Sequence, residues 1–435
     1  MPALLERSGD KISFMSTCGA LIGLLLCIVL IIRKASPVYS MIIGALVGGL
    51  IGGLGLTATV TSMVSGIQAL VPAIIRILTA GVLSGILIRT GAAASISQTI
   101  VRRLGVKHVF FSLAFSTMLL TAIGVFVDVA VITVAPVALT IANRHSISRL
   151  KLLLAMIGGA KCGNIISPNP NTLIAAENFN APLSSVMAAN VVPALIGFVI
   201  TVWVIVRLFP DKYSSKIEVE DSGSNESNED LPPFWASMTA PVVTVLLLAL
   251  RPLVDITIDP LIALPLGGFA GMAAMRRWSV LGDSLEYGLG KMSSVAILLV
   301  GTGTIAGIIK ASDLNSDLLA LLSSWHISDF MIAPVAGVLM SAATASTTAG
   351  ATIASSSFST AILNSGLSGV WGAAMVNASA TVLDHLPHGS FFHATGGCVE
   401  VPIAQRLRLI LYETWVGLTL TVSSIGCCKL WIWLI

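Results

Sequence analysis

Apolar stretches long enough to cross a lipid bilayer set the limits on what this chain can fold into. Runs such as Ile12 to Ile32, Tyr39 to Val60, Val191 to Phe209 and Leu409 to Ile435 approach or exceed the ~20 residues that span a hydrocarbon core as helix. Backbone polar groups in lipid must be satisfied internally, so runs of this length and composition read as helices. Composition agrees: 55% of the 435 residues are apolar and only 10% are charged, too few charges to cover a water-soluble surface. The first run continues into Arg33 and Lys34 rather than a small-residue cleavage site, so it reads as a retained transmembrane helix and not a signal peptide. A net charge of +3 and six scattered cysteines point to neither a nucleic-acid partner nor a disulfide framework.

Basic residues cluster at Arg33/Lys34, Arg89 to Lys107, Arg144 to Lys151, Arg207 to Lys216, Arg276 to Lys291 and Arg406/Arg408. The positive-inside rule assigns these clusters to the cytoplasm of a bacterial inner membrane and the N-terminus to the periplasm. That assignment holds only if Val109 to Ala142 enters from the cytoplasm and returns to it. The stretch has two arms of about 15 residues, too short to cross comfortably, meeting at Gly124 to Asp128. It reads as a re-entrant helical hairpin.

Residues 210 to 233 are acidic and polar with no apolar period, and mark a cytoplasmic linker between a first half, 1–209, and a second, 234–435. A shift of about 220 in the numbering brings Gly85-Ile86-Leu87-Ile88 onto Gly307-Ile308-Ile309-Lys310 and the stretch 92–104 onto 314–326. It also places a second pair of short arms, Phe330 to Ala343 and Gly350 to Leu363, opposite the first hairpin. The first half has an odd number of crossings, so its copy is inserted upside down. The expected fold is an all-α integral membrane protein, an inverted-topology repeat of two halves, each with a re-entrant hairpin and a discontinuous transmembrane helix.

The discontinuities carry the chemistry. Ile166-Ser167-Pro168-Asn169-Pro170-Asn171-Thr172 cannot continue a helix, because each proline removes a donor and clashes with the preceding turn. Asn164, Ser167, Asn169, Asn171 and Thr172 would then face an anion beside a helix N-terminus. Ser346, Thr347 and Thr348 supply hydroxyls at the second hairpin tip, or simply cap a helix end. Lys161 precedes the first break, where a buried ammonium needs a partner. Three roles are open to it: balancing a substrate carboxylate, pairing with Asp128, or standing where another transporter holds sodium. Asp128 is the only acidic residue between Asp10 and Glu177, a proton carrier, ion ligand or hairpin cap. Asp384, His385 and His388, with His393 beyond them, form a proton relay by composition. A metal site is disfavoured there because the spacing fits no metal motif. An enzyme is disfavoured too, since no nucleophile and base stand at a recognisable spacing. Arg76, in the apolar stretch Val71 to Leu87, would pair with Asp128 or Asp384, or sit near an interface on a tilted helix.

Through the Gly-Gly-x-Lys-x-Gly run from Gly158 to Gly163 and the Ile-Ser-Pro-Asn-Pro-Asn-Thr core from Ile166 to Thr172, the chain resembles the gluconate permease (Gnt) family of the ion transporter superfamily. The resemblance implies a homodimer in the bilayer, with scaffold and transport parts. It further implies symport of a sugar acid, hydroxycarboxylate or related short carboxylate, gluconate-like or a D-amino acid, with a proton and no cofactor. Sodium-coupled di- or tricarboxylate transport and cation/proton antiport are the alternatives. Asn164 stands where gluconate carriers of this kind are expected to have histidine, and the Asp384 to His388 run departs from their second-half signature. Both departures point to a divergent branch.

Overall fold

The structure is a computed structural model that describes residues 16–33, 35–105, 108–145, 147–210, 231–254, 258–314, 317, 329–387 and 389–434. These residues form helices joined by short connections. The first set is α1 (Thr17–Ile32), α2 (Pro37–Ile51), α3 (Leu56–Arg89), α4 (Ala92–Leu104), α5 (Val109–Ala122), α6 (Val127–His145), α7 (Arg149–Asn164), α8 (Pro170–Asn178) and α9 (Leu183–Leu208). The second is α10 (Phe234–Val254), α11 (Pro260–Met275), α12 (Leu281–Lys310), α13 (Ile332–Thr344), α14 (Thr347–Asn364), α15 (Gly369–Ser379), α16 (Ser390–Gly397) and α17 (Ile403–Trp433). Among the described residues, the helices Leu56–Arg89, Leu183–Leu208, Trp278–Lys310 and Ile403–Trp433 are long and apolar enough to cross a membrane. Large apolar side chains such as Leu25, Leu246 and Val422 stand exposed, as lipid-facing residues do.

One apolar run is not a single span. Tyr39 to Val60 is divided between α2 and α3, because the chain turns at Gly53 with φ +94°. A residue with a Cβ would be strained in that conformation. The sequence-level partner of α4, residues 314–326, lies outside the described residues except at Leu314 and Asp317.

The two sets repeat one another, and the glycines of α3 and α12 show how. A Cβ added at Gly85 would run into the Ser284 carbonyl, and one at Gly307 into the Ser62 carbonyl. The displacement that takes Gly85 to Gly307 also takes Ser62 to Ser284. It relates a second reciprocal pair as well: Gly66 abuts the Gly303 carbonyl, and Gly288 abuts the Gly81 carbonyl. In every pair one number rises as the other falls, so α3 and α12 run antiparallel about a local two-fold relation. Glycine permits this because lipid offers no hydrophobic drive between helices, and association relies on close backbone packing.

The paired short helices are also matched. α5 and α6 turn through Ile123 to Phe126 with Gly124 at φ +106°, and α13 and α14 turn through Ala345 and Ser346 with Ala345 at φ +46°. The turns are tighter than the sequence suggests. Asp128 falls in the first turn of α6 rather than at the tip, and Thr347 and Thr348 already belong to α14.

Candidate functional site

The first discontinuity lies between α7, which ends at Asn164, and α8, which begins at Pro170. The second lies between α15, ending at Ser379, and α16, beginning at Ser390. A helix that stops inside a protein leaves carbonyls without partners, and here each half supplies what the other lacks. Lys161 Nζ donates to the Thr381 carbonyl at 2.7 Å, and Asn377 Nδ2 donates to the Ile165 carbonyl at 3.2 Å. The displacement carrying Lys161 to Asn377 also carries Ile165 to Thr381. The two interrupted helices therefore cross as reciprocal partners, with an ammonium on one arm and a neutral amide on the other.

Each hairpin tip meets its own half's break. Asn169 Nδ2 donates to the Val125 carbonyl at 3.3 Å and to Asn164 Oδ1 at 2.8 Å. In the second half, Thr347 Oγ1 donates to Asp384 Oδ2 at 2.5 Å. A Cβ at Gly389 would strike the Ala345 carbonyl, so the second break packs directly on its hairpin turn.

Around the first break, Asn171 Nδ2 donates to Asn377 Oδ1 at 2.7 Å, and Asn377 Nδ2 donates to Thr172 Oγ1 at 3.0 Å. Asn164, Asn169, Asn171 and Thr172 are all buried and spend polar atoms on holding the crossing together. Ser167 differs: its hydroxyl is fully buried and has no hydrogen-bond partner. It lies beside the N-terminus of α8, where Asn169 gives no side-chain cap and Pro170 has no N–H. Ser346 caps α14 through Ala349 N, and Ser346, Thr347 and Thr348 are half-buried.

The second break holds a buried ion cluster. Lys161 pairs with Asp384 Oδ1 at 2.6 Å and lies 2.9 Å from His385 Nδ1; both charged side chains are at most 4% exposed. Of the three roles open to Lys161, the partnership with Asp128 is therefore not made. Asp128 sits half-buried on α6, near enough to Tyr287 of α12 to act on it electrostatically together with Arg89. His388 lies outside the described residues, and His393 is exposed, with Nε2 2.8 Å from the Pro387 carbonyl.

Two members of the cluster escape a sequence reading. Glu413 on α17 is fully buried, 4.0 Å from His385 Nδ1, and is clasped by Arg406 through both carboxylate oxygens. Arg406 is itself 1% exposed and lies over the Phe392 ring, so it is not the cytoplasmic surface anchor its place in a basic cluster suggests. The signal for Glu413 is present in the sequence, since it is the only acidic residue after Pro402, and an ionisable group within a span is functional by default.

Arg76 pairs with neither Asp128 nor Asp384. Its guanidinium bridges Glu177 at the end of α8 and Asp259, 2.8 Å away at the N-cap of α11. Hydrogen bonds from Arg76 hold the Asp259 carboxyl below the usual carboxylate range, outweighing the opposing effect of partial burial. A cavity of about 330 Å³ opens at this triad, lined also by Leu173, Asn180 and Ser184. It lies at the far end of α8 from the crossing, not at the crossing itself.

An all-helical fold with a lipid-facing surface, organised around two crossed and interrupted helices, belongs to the class of multi-pass membrane transporters. The sequence profile of the GntP family permeases matches residues 15–433. The chain belongs to that family, and its task is transport rather than catalysis. It is 51% identical to an uncharacterised transporter of Haemophilus influenzae over 94% of this chain and 97% of that one. It is 21% identical to a gluconate permease of Zymomonas mobilis over 80% of this chain and 82% of that one. Its fold is similar to the crystal structure of the YdaH transporter of Alcanivorax borkumensis, with a TM-score of 0.61 at 14% identity, covering 87% of this chain and 89% of that one. The family expectation from Gly158 to Thr172 is thus met: the chain is a permease of the GntP family.

Proposed function

We propose that this permease carries a gluconate-like sugar acid, a hydroxycarboxylate or a related short carboxylate across a bacterial inner membrane together with a proton. The observation that carries the reading is the first break. The uncapped N-terminus of α8 and the unpartnered Ser167 hydroxyl present donors where an anion would complete them. The carboxylate binds there, and the hydroxyls of Ser346, Thr347 and Thr348 meet the far end of the substrate. Thr347 already reaches the second break through Asp384. Asn164, Asn169, Asn171 and Thr172 hold the break open rather than all contacting substrate.

Charge supports a proton as the coupling ion. The Lys161 ammonium already occupies the cation position at the crossing, and Asp384 and His385 beside it are groups that exchange protons. The cavity at Arg76 is the approach to α8 from the periplasmic side. The hairpins are re-entrant, two copies form a homodimer, and the 210–233 linker is cytoplasmic.

Reconstitution into proteoliposomes tests the reading. With radiolabelled gluconate, glycerate and lactate, an acid exterior should accelerate uptake, and external sodium should leave the rate unchanged. Uptake that follows sodium and ignores pH would transfer the coupling to sodium. Transport of none of the anions, with sodium dissipating a pH gradient in everted vesicles, would make the protein a cation/proton exchanger.

A further inference from the structure

The buried cluster at the second break contains a consistent set of protons and charges, and these constrain how coupling works. A lysine ammonium has three N–H donors and no acceptor. Lys161 directs them at three acceptors: Asp384 Oδ1 at 2.6 Å, the Thr381 carbonyl at 2.7 Å and His385 Nδ1 at 2.9 Å. For Nδ1 to accept, the ring proton must be on Nε2. The other side of the ring agrees, because Nε2 faces the Ile410 carbonyl at 2.9 Å, and a carbonyl can only accept. Thr414 Oγ1, 3.2 Å from Nε2, gives its own proton to that carbonyl. With Nδ1 accepting from Lys161 and Nε2 donating to Ile410, His385 is the neutral Nε2–H tautomer in this arrangement.

A second contact is left waiting. His385 Nδ1 lies 3.1 Å from Asp384 Oδ1, two lone pairs facing each other, which is tolerable only while the ammonium sits against both. Remove Lys161 from them and that distance calls for one proton. The surrounding charges balance in the present state. Lys161 of α7 and Arg406 of α17 are positive; Asp384 of the break and Glu413 of α17 are negative. Thr347, reaching in from α14, is an uncharged hydroxyl, and Cys162, next to Lys161 in the chain, is a buried thiol. A monovalent anion arriving alone would leave an uncompensated buried charge, which a low-dielectric interior strongly disfavours.

We infer that coupling is an exchange of ion-pair partners: the substrate carboxylate takes Lys161 from Asp384, and His385, protonated at Nδ1, takes Lys161's place on Asp384. This rests on the carrier reading above and assigns its coupling residue. The balance is simple. One proton from water forms the Nδ1–H bond, one carboxylate joins Lys161, and the cluster stays neutral whether loaded or empty. Transport of a monocarboxylate is therefore electroneutral, one proton to one anion. Glu413, clasped by Arg406, stabilises the imidazolium without taking its proton.

Two measurements on proteoliposomes with radiolabelled gluconate and glycerate decide the matter. In the wild-type protein, a potassium-diffusion potential of either sign at equal pH should leave the initial uptake rate unchanged, whereas an acid exterior raises it. A rate that follows the potential overturns the exchange, and this arm needs no variant. In His385→Gln the amide can still donate toward Ile410 but cannot take up the coupling proton. Accumulation driven by the pH gradient should collapse far more than exchange of internal for external substrate. Loss of both in proportion assigns His385 a merely structural role and overturns the inference, as does gradient-driven accumulation like the wild type's. Failure of the wild-type protein to move either anion, by exchange or by gradient, overturns the carrier reading itself.

Discussion

Arg406 and Glu413 show how much a single buried pair matters in this molecule. Both side chains are withdrawn from solvent, and the Arg406 Nε has no partner, so the guanidinium depends on Glu413 and on one hydroxyl, that of Thr395, 3.2 Å away. Glu413→Gln or Arg406→Met alone leaves a buried charge uncompensated and should destabilise the protein by about 3–5 kcal/mol. Arg406→Met combined with Glu413→Leu removes both charges and should recover much of that loss, since apolar replacement of a buried pair is often neutral. Thermal unfolding in detergent of the two single variants and the double variant measures the cycle, and additive losses would contradict the pairing. The sequence half-reveals this pair. An acid alone in the last apolar run stands out, but a basic residue near a helix end looks the same whether it turns to the cytoplasm or inward.

At the scale of elements, the breaks and hairpins are legible because they depend on local chemistry. Pro168 and Pro170 stop a helix wherever they occur, and Gly124 permits a turn of positive φ. The crossing is not legible in that way. Asn377 is one amide in a helix of small and apolar residues, and its role depends on a carbonyl of the other half. The two kinds of glycine should respond differently to substitution. At Gly124 an added Cβ would find its nearest neighbour, Leu83 Cδ2, at an ordinary 3.4 Å. Gly124→Ala therefore meets only the conformational cost, roughly 1–2 kcal/mol. At Gly66 and Gly288 the added atom meets backbone of the opposite helix, so α3 and α12 must separate. Gly66→Ala and Gly288→Ala should each cost about 1–3 kcal/mol and, being reciprocal, should cost alike. A neutral Gly288→Ala beside a damaging Gly66→Ala, in the same unfolding assay, would deny the two-fold relation.

For the whole molecule, the antiparallel course of α3 and α12 has a consequence that no single element reveals. If the second half is the first turned over in the bilayer, the two hairpin turns approach the crossing from opposite membrane faces. Substrate then sees one hairpin from the periplasm and the other from the cytoplasm, the geometry alternating access needs. The distribution of basic residues predicts which face each hairpin enters from: the first is flanked by Arg89 to Lys107 and Arg144 to Lys151, the second by little more than Lys310. A membrane-impermeant maleimide separates them once the native cysteines are replaced. Phe126→Cys, at the first turn, should react in everted vesicles, and Ser346→Cys, at the second, in right-side-out vesicles. Ser224→Cys, in the linker proposed to be cytoplasmic, should react from the same face as Phe126→Cys. Gluconate should protect both hairpin positions, because both turns adjoin the crossing. Reaction of both turns from one face would leave the two halves similar in fold but not inverted in the membrane, and the carrier would then need a different route for its substrate.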